Sequence, residues 1–205
     1  VSDWSSDVCS SDLIADPADQ LRMDAYHATF GEAGHLWLAM HAAFPIALTT
    51  DLLYKIWMNF IPYPEDVNDT PYGQLSEKIL TKHLAPTDST IAINAVGDLL
   101  LSPLCREIGY DVYEFYPHLR EALWKSLPLK RQQQLADFLL RYLEFCPDKV
   151  PSKAFAESQR IWSQITLGQF DQVNALLSEL YAAPNTSHAA FKRDLRMLAA
   201  AAVHH

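Results

Sequence analysis

Cysteine is scarce in this chain and never paired. Three occur in 205 residues, and Cys105 and Cys146 stand singly, without Cys-x-x-Cys spacing, which excludes a disulfide-stapled framework and leads us to expect a reducing, cytoplasmic setting. Long apolar runs are missing too. No stretch approaches the ~20 apolar residues that a helix needs to cross a bilayer, and the Ala-rich end LAAAAVHH is far too short, so no membrane partner is expected. Basic charge is in deficit, with 16 Lys and Arg against 25 Asp and Glu. Such a balance lacks the footprint of phosphate-backbone binding, and no nucleic-acid partner is expected. The chain also has no G-x-x-x-x-G-K-[ST] loop, no G-x-G-x-x-G after a strand and no G-x-S-x-G elbow, so neither nucleotide hydrolysis, dinucleotide binding nor serine-hydrolase chemistry is read from it.

What is present is helical patterning. With 49% hydrophobic residues, the chain can bury a sizeable core as one domain or two small ones. EAGHLWLAMHAAF places Leu36, Met40 and Phe44 on one wide apolar face, which Pro45 ends. Thr49 and Thr50 offer caps for DLLYKIWMNF, whose stripe is Leu53, Ile56, Trp57 and Phe60. A Pro-rich, acidic loop and a short amphipathic helix with Leu75, Ile79 and Leu80 read as an insertion near 62–90. Val96, Leu99, Leu100 and Leu104 predict a helix over 91–104, Asp111 to Phe115 alternates as a short strand, and Pro117 opens a helix carrying Leu119, Ala122, Leu123 and Leu127. Another helix bears Leu135, Phe138, Leu139, Tyr142 and Leu143. After the break at FCPDKVPSK come two helical patterns joined at LGQF, and a last helix from about His188. The expected fold class is mainly α, a winged-helix-like helical domain with one short β element, followed by antiparallel helical hairpins. The expected divisions are 14–146 and 151–205.

The opening VSDWSSDVCSSDL has no apolar periodicity, and Asp3 to Leu13 back-translates into one reading frame of a common short-read sequencing adapter. We read 1–13 as an adapter-derived, disordered artefact. Without its three Asp the formal net charge goes from -9 to -6.

The stretches HAAFPIALTTDLLYKIWMNF and AVGDLLLSPLCREIGYDVYEF, followed by LRE, resemble the winged-helix segment that follows the ATPase core in STAND-type signalling NTPases, and a helical module of large bacterial conflict-system proteins. The likeness covers about 36–142. It implies a non-catalytic interaction or regulatory module from a longer bacterial protein, whose partner is another protein or an adjacent domain of the parent chain. Where such proteins often carry Met-His-Asp at the strand end, this chain has Phe115, Tyr116 and Pro117, so no nucleotide is expected to bind. Between Pro151 and Pro184, a span of 34 residues, the positions of Trp162, Gly168, Phe170 and Pro184 resemble one tetratricopeptide repeat. A generic helical hairpin fits the same residues.

Residues that could carry chemistry have simpler readings. His27, His35 and His41 are eight and six apart, whereas zinc-binding helices use i, i+4 pairs, so no metal is assigned. Cys105 has apolar neighbours that raise a thiol pKa, and it reads as a core residue. Asp111, Glu114 and Glu121 read as solvated surface. Trp37, Trp57 and Trp162 follow the helical stripes. Trp124 lies beside its stripe, and it is the candidate partner contact, since exposed Trp is enriched at interaction hot spots. No catalytic or cofactor-binding residue is assigned. An alternative, a winged-helix DNA-binding regulator, would read a groove with the 91–104 helix, which has no Lys or Arg before Arg106.

Overall fold

A computed structural model describes residues 16–30, 33–61 and 92–182. The opening 1–13, the insertion near 62–90 and the helix expected from His188 lie outside the described residues. The described chain is mainly α-helical, with a single two-stranded sheet. It divides into two units, residues 1–44 with 48–128, and residues 45–47 with 129–205.

Unit 1 begins with α1 (Pro17–Thr29), which the apolar pattern does not announce, because only Met23 and Tyr26 supply large buried apolar side chains. Its start is instead local chemistry. Asp16 accepts a hydrogen bond from Ala18 N at 2.8 Å, and Pro17 takes the first helical position, where its missing N–H costs nothing. The next helix, α2 (Ala33–Ala42), departs from the expected one-sided face: Leu38 through Phe44 are all buried in succession, including His41. The second half of α2 is thus covered on every side, as in a core interior, while Gly34 to Trp37 are half-buried. Helix α3 (Thr50–Phe60) is capped as its sequence predicts, with Thr49 Oγ1 accepting from Leu52 N at 3.1 Å, and it buries Leu52, Leu53, Ile56 and Phe60.

Helix α4 (Asn94–Leu100) is shorter than the expected 91–104. Ser102 ends it: its hydroxyl donates to Leu99 O at 2.7 Å and accepts from Leu104 N at 3.3 Å, a local turn that competes with the helical ladder. Strands β1 (Cys105–Gly109) and β2 (Val112–Phe115) follow as an antiparallel hairpin, so the expected single strand has a partner. Helix α5 (Pro117–Lys125) completes the unit. Within it α2 packs on α3, α4 and α5, while α1 packs on α5 and α4 on β1.

Unit 2 holds α6 (Leu129–Phe145), a 3-10 turn (Pro147–Lys149), α7 (Lys153–Thr166) and α8 (Phe170–Ala182). Helix α7 packs on both α6 and α8. Ser152 caps α7 through Phe155 N at 3.1 Å. The reversal to α8 is a Schellman turn: Gly168 adopts φ +71, its N–H donates to Ile165 O, and Gln169 N donates to Gln164 O at 2.8 Å. Only glycine takes that conformation at little steric cost. Pro45–Ala47 belongs to this unit because Gln159, fully buried on α7, accepts from Ile46 N at 3.0 Å and donates to Ala47 O at 2.6 Å.

This division differs from the expected one at 146–151. The composition break there is only the 3-10 turn inside unit 2, because the stripe of Leu135, Ala136, Leu139, Tyr142 and Leu143 commits α6 to its own unit with α7.

Candidate functional site

The features of unit 1 that converge are the β1–β2 hairpin and the strand-to-helix junction behind it. The register pairs Arg106 with Glu114, Glu107 with Tyr113, and Gly109 with Val112, and it shifts between Glu107 and Gly109. Ile108 is therefore the extra residue of a β-bulge, which breaks the pleat and re-aims its side chain. At the turn Asp111 adopts φ +53, a conformation that Asp tolerates better than most residues. Its carboxylate is tied down, accepting from Thr50 N at 3.2 Å and from the Thr50 hydroxyl. Leu48 and Tyr113 exchange backbone hydrogen bonds of 2.8 and 2.9 Å, so β2 is held along its other edge as well.

Tyr116 occupies the junction. Its ring lies 3.8 Å from the Arg22 guanidinium and 5.6 Å from that of Arg106. Each arginine also has a carboxylate: Arg22 meets Asp19 at 2.9 Å, and Arg106 Nε meets Glu114 at 2.7 Å. Two cations share one aromatic ring, each with an acid beside it, which makes a cation–π stack. Pro117, the next residue, brings no N–H. Behind the junction Arg120 donates to Phe44 O at 2.8 Å, and loss of solvation pushes its guanidinium down to about 10.

The titratable residues singled out in the sequence are dispersed. His41 Nδ1 lies 2.8 Å from Trp37 O, with its ring between those of Trp37 and Phe60. His35 stacks on Phe30 and stands 3.7 Å from Asp98, and His27 meets the edge of Tyr26. Among the described residues no three His, Cys, Asp or Glu side chains are grouped to hold a metal. Cys105 is buried, which pushes its thiol up to about 12. Burial thus favours the neutral thiol over the thiolate at neutral pH. Asp111, Glu114 and Glu121 go to three different partners, Thr50, Arg106 and Lys125.

Trp124 needs correction as an exposed anchor, since only 6% of its surface meets solvent. The α5 helix buries Leu119 and Leu123 as the stripe predicts, but Trp124 joins them, and the half-buried indoles are those of Trp37 and Trp57. The most exposed aromatic side chain among the described residues is Tyr110, at 97%, ahead of Phe145 and Phe170, and Ile108 beside it in sequence is 51% exposed. Sequence reasoning passed over both. The signal available was Gly-Tyr-Asp just before the alternating segment Asp111 to Phe115, a combination of residues that favours a turn.

No family model matches the chain, and no curated protein or solved structure matches it either.

Proposed function

We propose that this chain is a non-catalytic interaction and regulatory module, the winged-helix-like and TPR-like part of a larger bacterial STAND-type or conflict-system NTPase working in the cytoplasm. The observation that supports the reading is the order of elements in unit 1. Helix α2, a bridging residue at Leu48, helices α3 and α4 and then the hairpin follow one another as helix, strand, helix, helix and wing do in a winged helix, with Leu48 bonded to the outer edge of β2. No described helix is long and apolar enough to cross a membrane. Helix α4, which would enter a DNA groove in a regulator, carries Asp98 and neither Lys nor Arg, so nucleic acid is not the partner we propose. The function is packing: a domain that leans on a neighbouring core and passes on its change of state.

Nucleotide belongs to that core and not to this chain, because Tyr116 is engaged by two arginines and Pro117 offers no backbone donor. Calorimetric titration with ATP and ADP, each with magnesium, is expected to give no heat of binding. An NTPase core encoded in the adjoining reading frame and produced separately is expected to bind the chain and change its hydrolysis rate. Micromolar nucleotide binding lost on Tyr116→Ala, or a core indifferent to the chain, would count against the proposal.

A further inference from the structure

The bulged hairpin of unit 1 displays side chains that its own fold leaves outside. A β-hairpin this short is marginal alone, yet this one is anchored twice, through Leu48 on β2 and through Asp111 on the first turn of α3. The anchored elements hold Ile108 and Tyr110 in solvent at 51% and 97% exposure. Among the described residues of unit 1 neither side chain is buried against a neighbour, and the register shift at Ile108 is the kind of irregularity found where a strand presents a residue.

The charge around the pair selects what can cover it. Glu107 is exposed and has no ion-pair partner among the described residues, whereas Glu114 is taken by Arg106 and Asp111 by Thr50. The Tyr113 phenol is pushed above its ordinary value first by desolvation, then by Glu107 and Asp111, so both acids act on this end of the hairpin. An open tyrosine three residues along the hairpin from an exposed carboxylate suits a cation with an apolar stem, because a guanidinium can lie on such a ring and pair with such an acid while its methylenes cover an apolar neighbour.

We propose that the tip formed by Glu107, Ile108 and Tyr110 is a docking surface for a basic, aliphatic segment of a protein partner, with an arginine stacked on Tyr110 and paired to Glu107. The proposal rests on the reading of the chain as an interaction module and names the surface it uses. Strand addition along β1 is not the mode, since the bulge interrupts the edge that a new strand would need. Duplex nucleic acid is the wrong sign for this tip.

The test is a nitrogen-15 NMR titration of the full chain with a synthetic Arg-Val-Arg-Ile-Arg peptide, beside the matched Glu-Val-Glu-Ile-Glu peptide and a generic DNA duplex. The basic peptide is expected to shift amides within 106–112, with the acidic peptide and DNA silent. Tyr110→Ala and Glu107→Gln should each weaken binding about tenfold, as loss of one stacked or paired cation contact would. Glu144→Gln, an equal charge change on exposed α6, should leave it unaltered. Both tip residues are exposed, so the variants are expected to keep the parent spectrum elsewhere. Shifts spread over the whole acidic surface, equal loss in the Glu144 variant, no binding, or preference for DNA would each overturn the proposal. A separately produced NTPase core that binds Tyr110→Ala as well as the parent would also overturn it while leaving the module reading intact. A core that never binds, with the peptide result as expected, would keep the surface and remove the NTPase.

Discussion

Gln159→Leu isolates one amide that ties unit 2 together. The side chain is fully buried, accepting from Ile46 N at 3.0 Å and donating to Ala47 O at 2.6 Å, so it pairs with the backbone as a neighbouring strand would. Leucine keeps most of the volume and is a better helix former, which leaves the two hydrogen bonds as the main loss. Each is worth about 1 kcal/mol net, and a backbone group stranded without a partner costs ~1–3 kcal/mol more. Ile46 and Ala47 are only half-buried, so water recovers part of that penalty, and we expect a loss of ~2–4 kcal/mol. Gln159→Ala should lose more, because it adds a cavity. Urea unfolding followed by helical circular dichroism reads the effect directly. With a slope of ~2–3 kcal/mol per molar for a chain of this size, the midpoint should fall by roughly 1 M. Unchanged midpoints in both variants would refute the reasoning and show that Pro45–Ala47 is held by something other than this amide.

Leu53 on α3 and Leu100 on α4 are buried in unit 1, and truncating either to Ala should cost ~2–5 kcal/mol through lost transfer energy and a residual cavity; parent-like urea midpoints would contradict the placement of those helices. Asp111→Ala should destabilise by ~1–2 kcal/mol, since it removes an acceptor at the start of α3 and leaves a β-carbon at φ +53. Asp111→Gly should cost less, because glycine relieves the backbone, and equal losses in the two variants would show that φ is irrelevant there. The chain should lose stability in alkali: burial raises the Cys105 thiol from 9.0 to about 12 and also raises the Tyr26 phenol. A raised pKa means that the unfolded chain releases its proton first, so stability is level below about pH 9 and falls as the pH climbs toward 12. Urea midpoints measured from pH 7 to 11 should show this decline, and Cys105→Ala should delay its onset; an identical onset in the variant would exclude the thiol as its source.

The sequence by itself determined the elements whose causes are local. Thr49 before an apolar stripe, Pro117 at a first helical position, Gly168 between two helical patterns and the stripes of α3, α6 and α7 each act within a few residues, through caps, φ preferences and a 3.6-residue period. It left the tip of the hairpin, the sharpest candidate site, unread, although the alternation of Asp111 to Phe115 marked one of its strands. Tertiary structure alone decided the rest. Strand β1, with Arg106 and Glu107 at its centre, has no apolar alternation and exists because β2 supplies its hydrogen bonds. Trp124, beside a stripe in sequence, is buried because the core is wider than one stripe, and α6 joins α7 across what looked like a boundary. Gln159 meets Ile46 across more than a hundred residues. Helix patterns are printed in nearby side chains, whereas pairing, burial and exposure depend on which distant surface arrives to meet them, and no local window of sequence contains that surface.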